Sequence, residues 1–178
     1  RHEKAVRNLL KAHDATIFSL AYQAELRDIE TGQHLERTSR YILLLAEELR
    51  RQKKHLKTLN RTYISELVKS SPLHDIGKSG VSDAILYKPH KLTDAEFDAM
   101  KKHCEYGARI IGKAEERLPE SNFLQVAREI ILYHHEHWDG NGYPEGLRGE
   151  EIPLSARLMA LADVYDALRS VRYYKDAI

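Results

Sequence analysis

Two short stretches of this chain hold residues able to do chemistry. The first runs His134-His135-Glu136-His137-Trp138-Asp139-Gly140-Asn141-Gly142-Tyr143-Pro144 and closes an apolar helical stretch (Val126, Ile130, Ile131, Tyr133). Neutral imidazole is the commonest side-chain metal ligand, and the turn residues that follow allow the loop to lie over a site. The second stretch, His74-Asp75 with Gly77 and Lys78 after it, stands sixty residues upstream. Neighbouring residues on a helix diverge by about 100°, which suits a centre where an Asp oxygen bridges to, or reaches, a second ion. The two stretches together read as a metal-dependent hydrolase.

Further candidates are scattered along the chain. Glu30 and His34 stand four apart and would share a helical face, although a solvated charge pair is the simpler reading of that spacing alone. His103 comes one turn before Gly107, where the missing side chain lets another backbone or a ligand approach. Asp163 and Asp166 are three apart in an apolar helical pattern, and acids there are costly to bury unless paired or metal-bound. The ligand candidates number five His, two Asp and one Glu, with no Cys. Such a set suits Fe, Mn or Zn at an imidazole–carboxylate centre, and it exceeds what one ion needs. Paired ions suit phosphoester hydrolysis, where they neutralise charge developing on the phosphoryl oxygens. Lys78 would add a cation to those oxygens, an ordinary surface lysine being the alternative.

Composition narrows the class. The 178 residues suffice for one domain with a single core. Lys and Arg number 28 against 27 Asp and Glu, a net charge of +1, so no global basic field draws long nucleic acids. The lone Cys104 rules out an internal disulfide and fits a reducing compartment, so a cytoplasmic location is expected. The longest apolar run, Ile42 to Ala46, is far too short to span a bilayer. The chain begins Arg-His-Glu-Lys, without Met and inside a helical pattern, which suggests a piece of a longer protein.

The elements that must position these groups are helical. Apolar residues recur at helical spacing over 5–26 and 33–58, a short apolar helix covers about 62–69, and Pro72 precedes the His74-Asp75 stretch. Residues 79–92 read as a loop with a short turn. Thr93-Asp94-Ala95-Glu96 is a capping box that starts another helix, and further helices are expected at about 104–117, 122–136 and 154–169. There is no hairpin signal and no repeat. The predicted fold is an all-α, single-domain helical bundle.

His74-Asp75-x-x-Lys78, His103-x-x-x-Gly107 and His134-His135-Glu136-x-x-Asp139-Gly140-x-Gly142-Tyr143-Pro144, continued through Arg157 and Asp163-Val164-Tyr165-Asp166-Ala167-Leu168, resemble the HD-GYP group of the HD phosphohydrolase superfamily over about residues 28–178. Several separated motifs in order are far more specific than any one of them. The resemblance implies a bacterial phosphodiesterase that hydrolyses cyclic di-GMP to pGpG or onward to GMP, the alternatives being a phosphohydrolase of another cyclic dinucleotide and a cyclic-dinucleotide receptor or interaction module with little activity. It implies two or three divalent ions, often iron or manganese, held by His34, His74, Asp75, His103, His134, His135 and Asp163, with Glu30 at the position that helps hold a third. It places Lys78 on the scissile phosphate beside Asp75, and Asp28, Tyr143, Asp166, Arg172 and Lys175 against the dinucleotide. The last segment departs from the family at Val171 and Tyr173. The resemblance further implies residues 1–26 as a helix connecting to a sensory or receiver domain and able to pair into a homodimer, although a helix packed onto its own domain explains the apolar pattern of Val6, Leu10, Ile17 and Leu20 at least as well. Residues 27–178 would form the phosphodiesterase domain, short at its C-terminus, with the Gly142-Tyr143-Pro144 loop contacting diguanylate cyclase domains.

Overall fold

The computed structural model describes residues 1–27 and 33–169, and Asp28, Glu30, Arg172 and Lys175 lie outside the described residues. Helix follows helix: α1 (His2–Glu25), α2 (Gln33–Arg51), α3 (Arg61–Ser70), the four-residue α4 (Asp83–Leu86), α5 (Asp94–Lys101), α6 (His103–Glu115), α7 (Asn122–Tyr133) and α8 (Leu154–Arg169). Two 3-10 segments, Ser71–Leu73 and Ile76–Gly80, link α3 to α4, and a third covers Gly149–Glu151. Among the described residues no strand forms, and a single bridge joins Asp139 to Arg148. The all-α, single-domain bundle read from the sequence is the architecture observed.

Local signals explain the boundaries. Asn60 caps α3 by accepting the Tyr63 N–H at 2.9 Å, and Ser121 caps α7 through the Leu124 N–H. The expected capping box opens α5, with Thr93 N–H donating to Glu96 at 2.7 Å. The helix expected over 33–58 stops at Arg51 because Lys53 adopts φ 58°, and the Lys54 N–H turns back to the Leu49 carbonyl at 2.8 Å. That is a Schellman-type ending without the glycine that normally announces one, so the sequence concealed it.

Helix α7 lies at the centre and is apolar on both sides. Val126 and Ile130 join Ile42, Leu59, Leu67, Leu158 and Met159 in one cluster. Leu124, Ala127 and Ile131 join Ile17, Ala21, Leu35, Leu73 and Ile111 in the other. Only a narrow side with Gln125 and Arg128 meets solvent, and the helix ends on its buried residues Ile130 and Ile131, so its C-terminal end emerges inside the protein. His134 and His135 stand at that end. The second half of α1 packs on the 3-10 segments, and Arg27 ties its end down by donating to the carbonyls of Ser79 (2.7 Å) and Val81 (3.3 Å) and pairing with Asp83. No helix among the described residues is long and apolar enough to cross a membrane.

Candidate metal centre

Three helices (α2, α6 and α8), the turn between the first two 3-10 segments and the turn after α7 deliver seven of the expected ligands to one place. They form two groups, Asp75-His103-His134-His135 and His34-His74-Asp163, and within each the ligand atoms lie within 4.8 Å of one another. Asp75 stands between the groups. Its Oδ1 faces His103 Nε2 at 3.4 Å and His134 Nε2 at 3.7 Å, while its Oδ2 faces His74 Nε2 at 3.3 Å. In the other group His34 Nε2 lies 3.7 Å from Asp163 Oδ1.

The imidazoles are aimed by their other nitrogens. A carbonyl can only accept, so His74 Nδ1 donates to Ser71 O (3.0 Å), His103 Nδ1 to Met100 O (2.8 Å) and His134 Nδ1 to Ile130 O (3.0 Å). Each bond fixes the tautomer that leaves Nε2 with its lone pair directed inward. The inward atoms His74 Nε2, His134 Nε2 and Asp75 Oδ1 are buried and make no hydrogen bond. Such groups are costly in a folded interior, and a divalent cation is the partner that would satisfy all of them at once. The donor set is nitrogen and oxygen only. Cys104 Sγ lies 3.5 Å from His103 Nε2, but burial pushes its thiol up, so it stays protonated.

Electrostatics favour the same occupant. Burial alone would raise the Asp75 carboxyl, but the Lys78 ammonium and the His74 ring hold it well below the usual carboxylate range. Burial lowers His103 to about 4 and lowers His135 further, so both rings are neutral and ready to ligate near pH 7. His74 goes the other way: burial opposes its charge, yet the neighbouring Asp75 carboxylate lifts it to about 9, so an ion bound there would take the place of the proton on Nε2.

The loop after α7 closes one side. Tyr143 stacks on His135 with ring centroids 4.7 Å apart and planes at 24°. Glu136, which the sequence reading left without a role, holds this loop: its buried carboxylate accepts the N–H groups of Glu145 (2.7 Å), Gly146 (3.1 Å) and Leu147 (3.0 Å). Gly142 must be glycine, since a Cβ there would meet the His137 nitrogen at 2.3 Å and the His135 carbonyl oxygen at 2.5 Å. Lys78 Nζ sits 2.7 Å from Asp75 Oδ2.

A family model described as the HD domain matches residues 22–178. The chain belongs to the HD domain family. Among curated proteins, this HD domain is similar to a Vibrio cholerae protein named cyclic di-GMP phosphodiesterase, at 53% identity over 98% of this chain and 36% of the relative. A Thermotoga maritima protein of the same name is 42% identical over 86% of this chain and 38% of its own length. A V. cholerae protein named 3′3′-cGAMP-specific phosphodiesterase 2 is 44% identical over 90% of this chain and 28% of the relative. The chain thus spans between 28% and 38% of the length of these relatives.

One expected contact residue takes another position in the HD domain. Asp166, assigned to the dinucleotide by resemblance, is only 2% exposed, and both its oxygens are engaged inside the protein by His34 and Arg37. Burial opposes its charge, but the Arg37 guanidinium keeps its carboxyl below the ordinary value. Arg37 itself was missed, although its place three residues after His34 in α2, one turn along the same face, was a usable signal. Glu25, buried near the end of α1, was also missed; its charge adds to the field that lifts His74.

Proposed function

We propose that this HD domain is a metal-dependent phosphodiesterase that hydrolyses cyclic di-GMP to pGpG, to GMP, or to both, in bacterial second-messenger signalling. The observation that carries the reading is Asp75, one oxygen facing each ligand group in a buried cluster where His74 Nε2, His134 Nε2 and Asp75 Oδ1 make no hydrogen bond. Relatives named cyclic di-GMP phosphodiesterase at 42% and 53% identity support the substrate.

Asp75, His103, His134 and His135 would hold one ion, and His34, His74 and Asp163 another, with Asp75 shared. Glu30 is proposed as a ligand of a third. Bound divalent ions would neutralise the phosphoryl oxygens and acidify the attacking water. Iron or manganese suits a nitrogen and oxygen donor set that lacks thiolate. Lys78, already beside Asp75, would reach from that carboxylate to a phosphoryl oxygen as a point charge. Tyr143, stacked on His135, would shield the centre from water and offer its face to a nucleobase. Asp28, Arg172 and Lys175 are proposed substrate contacts. In the reaction water adds to phosphorus, the P–O3′ bond breaks, and the freed 3′ oxygen ends as a hydroxyl.

The wider roles follow the same reading. Val6, Leu9, Leu10 and Leu20 of α1 are exposed, which supports residues 1–26 as a connecting helix that pairs into a homodimer within a larger signalling protein. The loop at Tyr143 is a proposed contact for diguanylate cyclase domains, and a cytoplasmic location suits the substrate. A second reading, hydrolysis of a mixed purine cyclic dinucleotide, has the 44% identical 3′3′-cGAMP-specific relative in its favour.

The test is turnover by anaerobically purified protein loaded with Fe²⁺ or Mn²⁺, set against chelated protein, on cyclic di-GMP and 3′3′-cGAMP with products separated by chromatography. Metal-dependent pGpG or GMP from cyclic di-GMP is expected. Metal-loaded protein that leaves cyclic di-GMP intact would overturn the first reading, and turnover of 3′3′-cGAMP alone would install the second.

A further inference from the structure

The candidate ligands His34, His74, His103 and His134 are not held alike through Nδ1. His74, His103 and His134 each donate to a backbone carbonyl three or four residues earlier. His34 instead meets a side chain, with Nδ1 2.8 Å from Asp166 Oδ2. That carboxylate is itself clamped: Arg37 Nε donates to Oδ1 at 2.6 Å and Arg37 Nη2 to Oδ2 at 2.8 Å. The fork is bidentate, the geometry in which a guanidinium fixes a carboxylate's plane as well as its place.

We infer that Arg37 and Asp166 are a positioning pair for His34, with Asp166 acting through the imidazole toward the metal and not on the substrate. Position in sequence makes the device compact. Arg37 stands one turn after His34 on α2, and Asp166 one turn after Asp163 on α8. The pair therefore pins the two helices at the level where His34 Nε2 faces Asp163 Oδ1. A carboxylate accepting from Nδ1–H fixes the tautomer and makes Nε2 a stronger donor than a backbone carbonyl does. Arg37 keeps that carboxylate charged in a place where a lone anion would be costly. With both oxygens committed and 2% of the residue exposed, Asp166 has no face to offer a dinucleotide.

The inference rests on the metal-dependent reading above, but its readout does not need turnover. Mn²⁺ binding to the full chain is titrated by electron paramagnetic resonance without substrate, for wild type, Asp166→Asn, Arg37→Lys, His34→Ala and His34→Ala/Asp166→Asn. Asp166→Asn is expected to weaken the tighter affected ion by about 10- to 100-fold, and Arg37→Lys by less. On the His34→Ala background, Asp166→Asn should cause no further loss, because its route to the metal is gone; a general structural role would give additive losses. With cyclic di-GMP, Asp166→Asn should lower kcat at nearly constant KM. A raised KM with Mn²⁺ binding unchanged would overturn the inference and restore Asp166 to the substrate. Circular dichroism checks the fold of each variant, and Arg37→Lys, which keeps the charge, decides the matter should Asp166→Asn fail to fold. Wild type that binds Mn²⁺ but leaves cyclic di-GMP intact would sink the phosphodiesterase reading alone.

Discussion

Gly77 and Gly107 meet backbone to backbone, pressing the 3-10 segment after Asp75 against α6. A Cβ on Gly77 would lie 1.9 Å from the His103 carbonyl oxygen and 2.5 Å from the Gly107 nitrogen, and one on Gly107 would lie 2.5 Å from Ile131 Cγ2. This contact brings the main chains carrying Asp75 and His103 close enough for their side chains to converge. Gly77→Ala should therefore cost about 3 kcal/mol, since the atoms its Cβ would meet are backbone and cannot move aside singly. Urea unfolding gives the stability, and metal content should fall with it. A variant of wild-type stability that keeps its metal would show that the contact is not what sets the spacing.

Glu136 makes a second prediction because its carboxylate accepts three backbone N–H groups from the loop beyond Tyr143. Glu136→Gln keeps the volume but points an amide donor at one of those donors. Losing a buried charge-assisted bond costs about 1.5–3 kcal/mol. If about half of that appears as loosened substrate binding, KM rises about 3- to 12-fold while kcat moves little. Trp138, the chain's one tryptophan, lies in the same loop and 63% exposed, so its fluorescence should shift too. Unchanged emission and unchanged KM would mean that the loop holds itself.

The candidate ligands were legible because metal chemistry restricts residue type. Few side chains other than His, Asp and Glu can do the work, and His74-Asp75 and His134-His135 declare themselves by adjacency and apolar surroundings. The helices were legible from periodicity, down to the capping box at Thr93 and Glu96. What escaped was whatever depends on contact between distant segments. Arg37 looks like any surface arginine until Asp166, 129 residues away, is folded against it. Glu136 reads as one more acid until its loop turns back to present N–H groups. The end of α2 was hidden for a local reason: a lysine, not a glycine, occupies the left-handed position.

Acid should loosen α5 before it unfolds the domain. Bonds from Lys88 and from Thr93 hold the Glu96 carboxyl at about 2, below its ordinary 4.5. A depressed folded pKa means that the stabilisation is present above the unfolded value and is lost as pH falls from about 4.5 through about 2. Helix α5 also carries Phe97, edge-on to Tyr143 with centroids 6.2 Å apart, so its loosening reaches the loop over the metal centre. Hydrogen exchange at α5 amides should quicken across that window in wild type. Glu96→Gln should already exchange quickly at neutral pH and show no such acid step; an identical profile in both proteins would remove Glu96 as the cause.

Asp75 supplies the sharpest test of a shared centre. Each of its oxygens faces a different ligand group, so its loss should affect both ions, whereas loss of His34 should affect one. Elemental analysis after reconstitution should find Asp75→Ala stripped of both and His34→Ala still holding the ion of the His103 group. Stability should follow occupancy, because an ion that binds only the folded state at about 1,000 times its Kd contributes about 4 kcal/mol. Chelator should therefore lower the thermal midpoint of wild type strongly, of His34→Ala partly, and of Asp75→Ala hardly at all. An Asp75→Ala protein that retains one ion at full affinity would show the two groups to be independent, with Asp75 belonging to only one.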